Sequence, residues 1–129
     1  PEILITFWIF PYSSKLTMIE YLDEIQAHFE LWYPKEACGI LAEQKEKLKW
    51  FPCKNVSEED YNFVFDPKEY LQISRVAKIK AIVHSHPDHS PEPSETDRNY
   101  CNATNLIYYI FSYPSMELYI LKPERKDAA

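Results

Sequence analysis

The stretch Ile79-Lys80-Ala81-Ile82-Val83-His84-Ser85-His86-Pro87, followed by Ser94-Glu95-Thr96-Asp97, decides how this chain is read. Ile79 to His84 is short, mostly apolar and rich in β-branched residues, which predicts a central strand. A loop studded with Pro87, Pro91 and Pro93 comes next. Ser94-Glu95-Thr96-Asp97 then has the spacing of a helix start and predicts a helix to about Ala103. Side chains two apart on a strand share a face, so His84 and His86 point the same way. Strand, loop and helix together bring two imidazoles, a hydroxyl and a carboxylate within fourteen residues.

Each part has a plainer explanation. Two histidines on one face of a strand end are more often packing or surface than metal ligands. Ser94 with Asp97 makes a capping box without any chemistry. Glu36 reads as a solvated acid after Pro34, Cys38 as a small core residue, Gly39 as a close-packing position, and Asn55 as a local turn former. His89 sits in the proline loop and reads as solvent-facing. The joint pattern weighs against these readings. Helix capping does not require a His-x-His upstream, and a His-x-His does not require a rigid loop into a capped helix with an acid in its first turn. Two imidazoles on one face reach a single ion at ~2.0–2.1 Å, Asp97 adds a third donor, and a fourth position stays open for water, as in catalytic zinc sites. Glu36 is the natural upstream acid to activate that water, and the Ser94 hydroxyl would face a developing oxyanion.

Around this centre the sequence predicts a mixed α/β domain. Ile19, Leu22, Ile25, Phe29 and Trp32 recur at helical spacing and predict a helix from Thr17 to Tyr33, with Thr17 and Glu20 as a capping box and Pro34 as the stop. Cys38–Ala42 and Leu48–Phe51 read as strands joined by a Glu43–Lys47 turn, and Asn62–Phe65 as a further short strand. Asp66-Pro67-Lys68-Glu69 is a helix start, with Asp66 as cap and Pro67 at the first position, for a helix to about Ala77. Leu106–Ser112 and Met116–Leu121 read as strands around a Tyr113-Pro114-Ser115 turn. Helices interspersed with hairpin-linked strands imply a largely antiparallel mixed sheet flanked by helices.

The 129 residues fit one domain, and a hydrophobic content of 46% supports a real core. A formal charge of −6 and the absence of a basic stripe argue against nucleic-acid binding. Pro1–Phe10 is apolar but too short to span a bilayer, and it lacks the basic start of a signal peptide, so no membrane partner is expected. Cys38, Cys53 and Cys101 are odd in number and lack paired spacing, which reads as free thiols in a reducing compartment. Met18 is the first methionine, and residues 1–17 are read as a non-native extension, 18–123 as the domain and 124–129 as a tail.

The set Glu36, His84-x-His86-Pro87 and Ser94-x-x-Asp97 resembles the signature of the MPN/JAMM zinc metallopeptidases, over roughly Met18 to Pro123. The runs Tyr33-Pro34-Lys35-Glu36-Ala37-Cys38-Gly39, Pro52-Cys53-Lys54-Asn55 and Phe65-Asp66-Pro67-Lys68-Glu69-Tyr70 carry a narrower likeness. They resemble the amino-terminal module of the phage tail assembly protein K family, as does His84-Ser85-His86-Pro87-Asp88 with the Pro-Ser-Glu-x-Asp-Arg run ending at Arg98. The resemblance implies a sheet between helices in deaminase-like α/β/α layering and zinc held by His84, His86 and Asp97. It also implies Glu36 and Ser94 as catalytic residues and hydrolysis of a peptide or isopeptide bond. Implied partners are a protein or peptide substrate, phage tail proteins and an NlpC-type cysteine-peptidase module, which commonly follows in that family. An excised domain and a stand-alone gene are both open readings. The expected place is the cytoplasm of a bacterium or infected host cell, or the virion tail. A tail-assembly scaffold with a structural metal site is one alternative. A processing enzyme for a ubiquitin-like or sulfur-carrier protein is another. The compact length, with no room for large insertions, disfavours a eukaryotic-type deubiquitinase.

Overall fold

Residues 18–124 are described by the computed structural model of the chain. The expectations for 1–17, including Thr17 as a cap, and for 125–129 lie outside the described residues. The chain enters through a 3-10 turn, Met18–Tyr21, into helix α1, Leu22–Trp32. Strands β1, Cys38–Gln44, and β2, Lys47–Cys53, form a hairpin. Helix α2, Pro67–Val76, leads to strand β3, Lys78–Pro87, and helix α3, Glu95–Thr104, leads to β4, Ile107–Tyr113, and β5, Leu118–Leu121.

The five strands make one sheet in the order β2-β1-β3-β4-β5. Three neighbouring pairs are antiparallel and one, β3 with β4, is parallel. This matches the expected largely antiparallel mixed sheet flanked by helices. Alternation along the strands divides the core in two. Ala81 and Val83 of β3 pack with Leu41, Tyr109 and Phe111 beneath Ile25 and Phe29 of α1. Ile82 of β3 packs with Ile40, Tyr108 and Ile110 beneath Ile73 of α2 and Cys101 of α3. The layering is therefore helix, sheet, helix.

Local sequence explains most element ends. Asp66 caps α2 by accepting from the Lys68 N–H at 3.1 Å, with Pro67 first in the helix, where its missing N–H costs nothing. Ser94 and Asp97 form a reciprocal capping box at the start of α3. Asn105 ends α3 in the left-handed conformation, at φ 57°. The β1–β2 turn is tighter than Glu43–Lys47: the strands run on to Gln44 and Lys47. That leaves Lys45 and Glu46 at φ 53° and 65°, the signs a two-residue hairpin turn needs.

The expected strand at Asn62–Phe65 does not form. In place of a strand ladder, that segment makes an isolated bridge between Asn55 and Phe65. Its aromatic residues do not join a ladder; Phe63 and Phe65 lie on the core face shared by α2 and α3. Strand β3 also runs further than Ile79–His84. Ser85, His86 and Pro87 stay in it because β4 offers Phe111, Ser112 and Tyr113 as parallel partners.

Candidate metal centre

His84 and His86 continue the alternation of Ile82 and so face the helix pair α2 and α3. Glu36 stands two residues ahead of Cys38, just before β1 begins. The capping box turns Asp97, in the first turn of α3, towards them. Asp97 Oδ1 lies 3.2 Å from His84 Nε2 and Asp97 Oδ2 lies 3.3 Å from His86 Nε2. Glu36 Oε1 approaches the other ring nitrogen, His84 Nδ1, at 3.2 Å. One donor atom each from Glu36, His84 and His86 also lie within 4.8 Å of one another. All four side chains are buried, and His84 completely. Of the residues singled out in the sequence, Glu36, His84, His86 and Asp97 are brought together. Ser94 is joined to Asp97 by the helix cap and is itself exposed.

The residues present fit a metal ion. Both nitrogens of His84 are buried, and neither makes a well-aligned hydrogen bond, although a carboxylate oxygen stands near each. A buried polar atom left in that state is costly unless something satisfies it. Two imidazoles with carboxylates are a donor set zinc accepts. The second ring edge of His86 is fixed, as metal-bound histidines require: its Nδ1–H donates to the Ser90 carbonyl at 2.9 Å, leaving a lone pair on Nε2.

Charge tells the same story. Burial disfavours a charged His84 ring, yet the Asp97 and Glu36 carboxylates outweigh it and raise its pKa to about 9. Burial likewise pushes the Asp97 carboxyl up. Its contacts with His84 and His86, and the Ser94 backbone N–H, overcome this and hold it well below the usual carboxylate range. The pocket thus attracts positive charge, and a cation entering it must displace the His84 proton.

The segment that carries Glu36 is anchored from two sides. Ser85, between the two histidines, points to the opposite face, where its Oγ accepts from the Ala37 N–H at 2.9 Å. The Ser85 N–H in turn donates to the Ala37 carbonyl at 3.0 Å. Asn55 does more than make a local turn bond. Its Nδ2 donates to the Glu36 carbonyl at 2.8 Å and the Asn62 carbonyl at 3.1 Å. Its Oδ1 accepts from the N–H groups of Ser57 at 2.9 Å and Val64 at 3.1 Å. Asn55 is therefore fully satisfied while joining Glu36 to the loop that carries Phe63. In the sequence Asn55 was marked as a local turn former and by its place in Pro52-Cys53-Lys54-Asn55, and Ser85 only by lying between two histidines. Phe63 lies against His84 with ring centroids 4.5 Å apart. His89 is exposed, as expected, but stacks on His86 at 4.6 Å.

Ser94 keeps its hydroxyl proton available. Its Oγ accepts from the Asp97 N–H at 3.0 Å and its N–H donates to Asp97 Oδ2 at 3.0 Å, so neither cap bond uses that proton. The three cysteines are free and buried. Burial pushes the Cys38 and Cys53 thiols far above their usual range and Cys101 to about 11, so they remain neutral and carry no nucleophile. No helix among the described residues is long and apolar enough to cross a membrane.

Comparison with known proteins places the chain among relatives of the same fold. The chain is 39% identical over 103 residues to the tail tip assembly protein K of Escherichia phage N15, covering 79% of this chain and 42% of that protein. It is 31% identical over 88 residues to a desampylase of Haloferax volcanii, covering 61% of this chain and 63% of that protein. The chain thus spans less than two thirds of either relative. Among solved structures, a protein from Desulfitobacterium hafniense superposes with a TM-score of 0.64 at 25% identity, over 78% of this chain and 77% of that one. A JAB1/MPN domain protein from Archaeoglobus fulgidus shares the fold, with a TM-score of 0.54 at 22% identity over 81% and 87% of the two chains. Residues 19–121 match the family described as prokaryotic homologs of the JAB domain, and the chain belongs to that family.

Proposed function

We propose that this chain is a zinc-dependent hydrolase of peptide or isopeptide bonds, acting as a peptidase module in phage or prophage tail assembly. The observation that carries the reading is the convergence of both Nε2 atoms on one carboxylate: Asp97 spans His84 and His86, with Glu36 at the remaining nitrogen of His84. His84, His86 and Asp97 are the proposed zinc ligands. Zinc, when bound, supplies Lewis acidity towards water and the substrate carbonyl.

Glu36 is the proposed general base. It accepts a proton from the attacking water as the oxygen adds to the carbonyl carbon. It then delivers that proton to the leaving amine as the C–N bond breaks. Asn55 on its carbonyl and Ser85 on the next peptide N–H leave the base little freedom to wander. The Ser94 hydroxyl donates to the developing oxyanion while its oxygen remains on the helix cap.

The likeness to a tail tip assembly protein supports the phage setting. The likeness to a desampylase favours a second reading, in which the same chemistry trims a ubiquitin-like or sulfur-carrier tail. The test is cleavage of a peptide library by zinc-loaded protein, with Glu36→Gln as the blank. General-base loss is expected to lower the rate about a hundredfold to ten-thousandfold with zinc content unchanged. A Glu36→Gln variant that cleaves at the parent rate overturns the mechanism. A parent that cleaves nothing, while His84→Ala abolishes tail assembly, makes the site a structural one.

A further inference from the structure

We propose that the cavity walled by Phe63 and Tyr108 is a substrate subsite that takes one apolar side chain, of leucine or phenylalanine size, from a residue within two positions of the scissile bond. The inference rests on the hydrolase reading above. The cavity has a volume of about 190 Å³, and its lining includes Ile82, Tyr100, Thr104 and Leu106. Among the described residues no charged side chain lines it. Its one aliphatic hydroxyl is occupied, since Thr104 Oγ1 donates to the Tyr100 carbonyl at 2.7 Å. A charged or strongly polar group entering it would lose water without compensation.

Position ties the cavity to the proposed chemistry. Phe63 and Tyr108 line it, and the same two rings meet the ring of His84, at centroid separations of 4.5 Å and 6.1 Å. The cavity and the proposed ligand are thus separated by the thickness of one aromatic wall. An extended peptide advances ~3.3 Å per residue, so a carbonyl at the metal centre puts a side chain one or two residues away within reach. Size narrows the occupant. Pockets for whole small molecules run from about 300 Å³ upwards, and this one holds a single side chain. Val64 and Tyr100 at its edge are about half exposed, so an incoming chain meets an open mouth.

Binding can be read without catalysis. The isotope-labelled full chain is titrated with N-acetyl-leucinamide, N-acetyl-phenylalaninamide and N-acetyl-lysinamide and followed by amide NMR shifts. The leucine and phenylalanine probes are expected to move the amides of Val64, Thr104 and Leu106, and the lysine probe to leave them still. Thr104 and Val64 are exposed, so Thr104→Trp and Val64→Trp can fill the cavity from its rim, and either should remove the shifts. Unmoved amides, equal shifts with the lysine probe, or shifts that persist in both variants overturn the subsite. The cleavage library supplies the second arm. Apolar residues should be enriched at one fixed position beside the cleaved bond, with that preference in kcat/KM falling at least tenfold in Thr104→Trp. Cleavage without such a preference overturns the subsite alone; absence of any cleavage overturns the hydrolase reading and the subsite's role with it.

Discussion

On the α1 face, strand β3 contributes Ala81, Val83 and Ser85; on the α2 and α3 face it contributes Ile82, His84 and His86. The same ten-residue strand thus serves two environments. The first is packed with Phe29, Phe111, Tyr109 and Met18 and carries the apolar weight of the domain. The second gives up part of its packing to four buried ionisable groups that no apolar neighbour can satisfy. Strand alternation is what permits this. A slip of one residue in the register would drive the imidazoles beneath α1 and strand Ser85 in the pocket. The larger aromatic core and the candidate metal centre therefore sit back to back on one sheet.

The sharpest separation comes from the polar face. His84→Ala or Asp97→Ala should reduce bound zinc from one equivalent to near none, measured by metal analysis of protein purified without added zinc. Both variants should still melt cooperatively, because the α1 core is untouched. Stoichiometric zinc in both would break the ligand assignment. The converse experiment is Phe29→Ala. Removing a fully buried ring that meets Phe111 at 5.6 Å should cost about 3–5 kcal/mol in urea unfolding, while folded protein keeps its zinc. Loss of zinc from the folded variant would show that the two faces are coupled. The smallest effect is expected at Gly39, the only glycine in the chain. A Cβ there would stand 2.1 Å from a ring carbon of Trp50. Gly39→Ala should therefore push that ring aside and cost about 1–3 kcal/mol, with zinc content again unchanged. A neutral substitution would show that Trp50 finds a second resting place at no cost.

The sequence was most legible where a local rule acts alone. Asp66 before Pro67, and Ser94 three residues before Asp97, located two helix starts because capping depends on neighbours in the chain. His84 and His86 shared a face for the same kind of reason. Legibility failed where distant partners decide. Asn62–Phe65 is aromatic and apolar like a short strand, but it forms only an isolated bridge at Phe65, and its rings instead cover His84 and the cavity. The extension of β3 to Pro87 depends on β4, whose register no local pattern encodes. In the site, the converging side chains were readable from residue types and spacing. The roles of Ser85 and Asn55 were not, since each depends on a backbone group brought close only by folding.

The pairing of β3 with β4 is the one parallel contact in the described sheet. Antiparallel neighbours can be joined by two residues, as Lys45 and Glu46 do, whereas parallel neighbours oblige the chain to travel back along the strand before it can begin again. Residues 88–106 make that journey, and Asp97 is met on the way. Here chain length, as distinct from composition, is the heritable quantity. Replacing loop residues one for one preserves the arrival point of the Asp97 carboxylate. Adding or removing a few between Pro87 and Ser94 moves that arrival point even if every strand still finds its neighbour. This connection is where drift in length, tolerated on most protein surfaces, would silence the site and leave an intact fold behind.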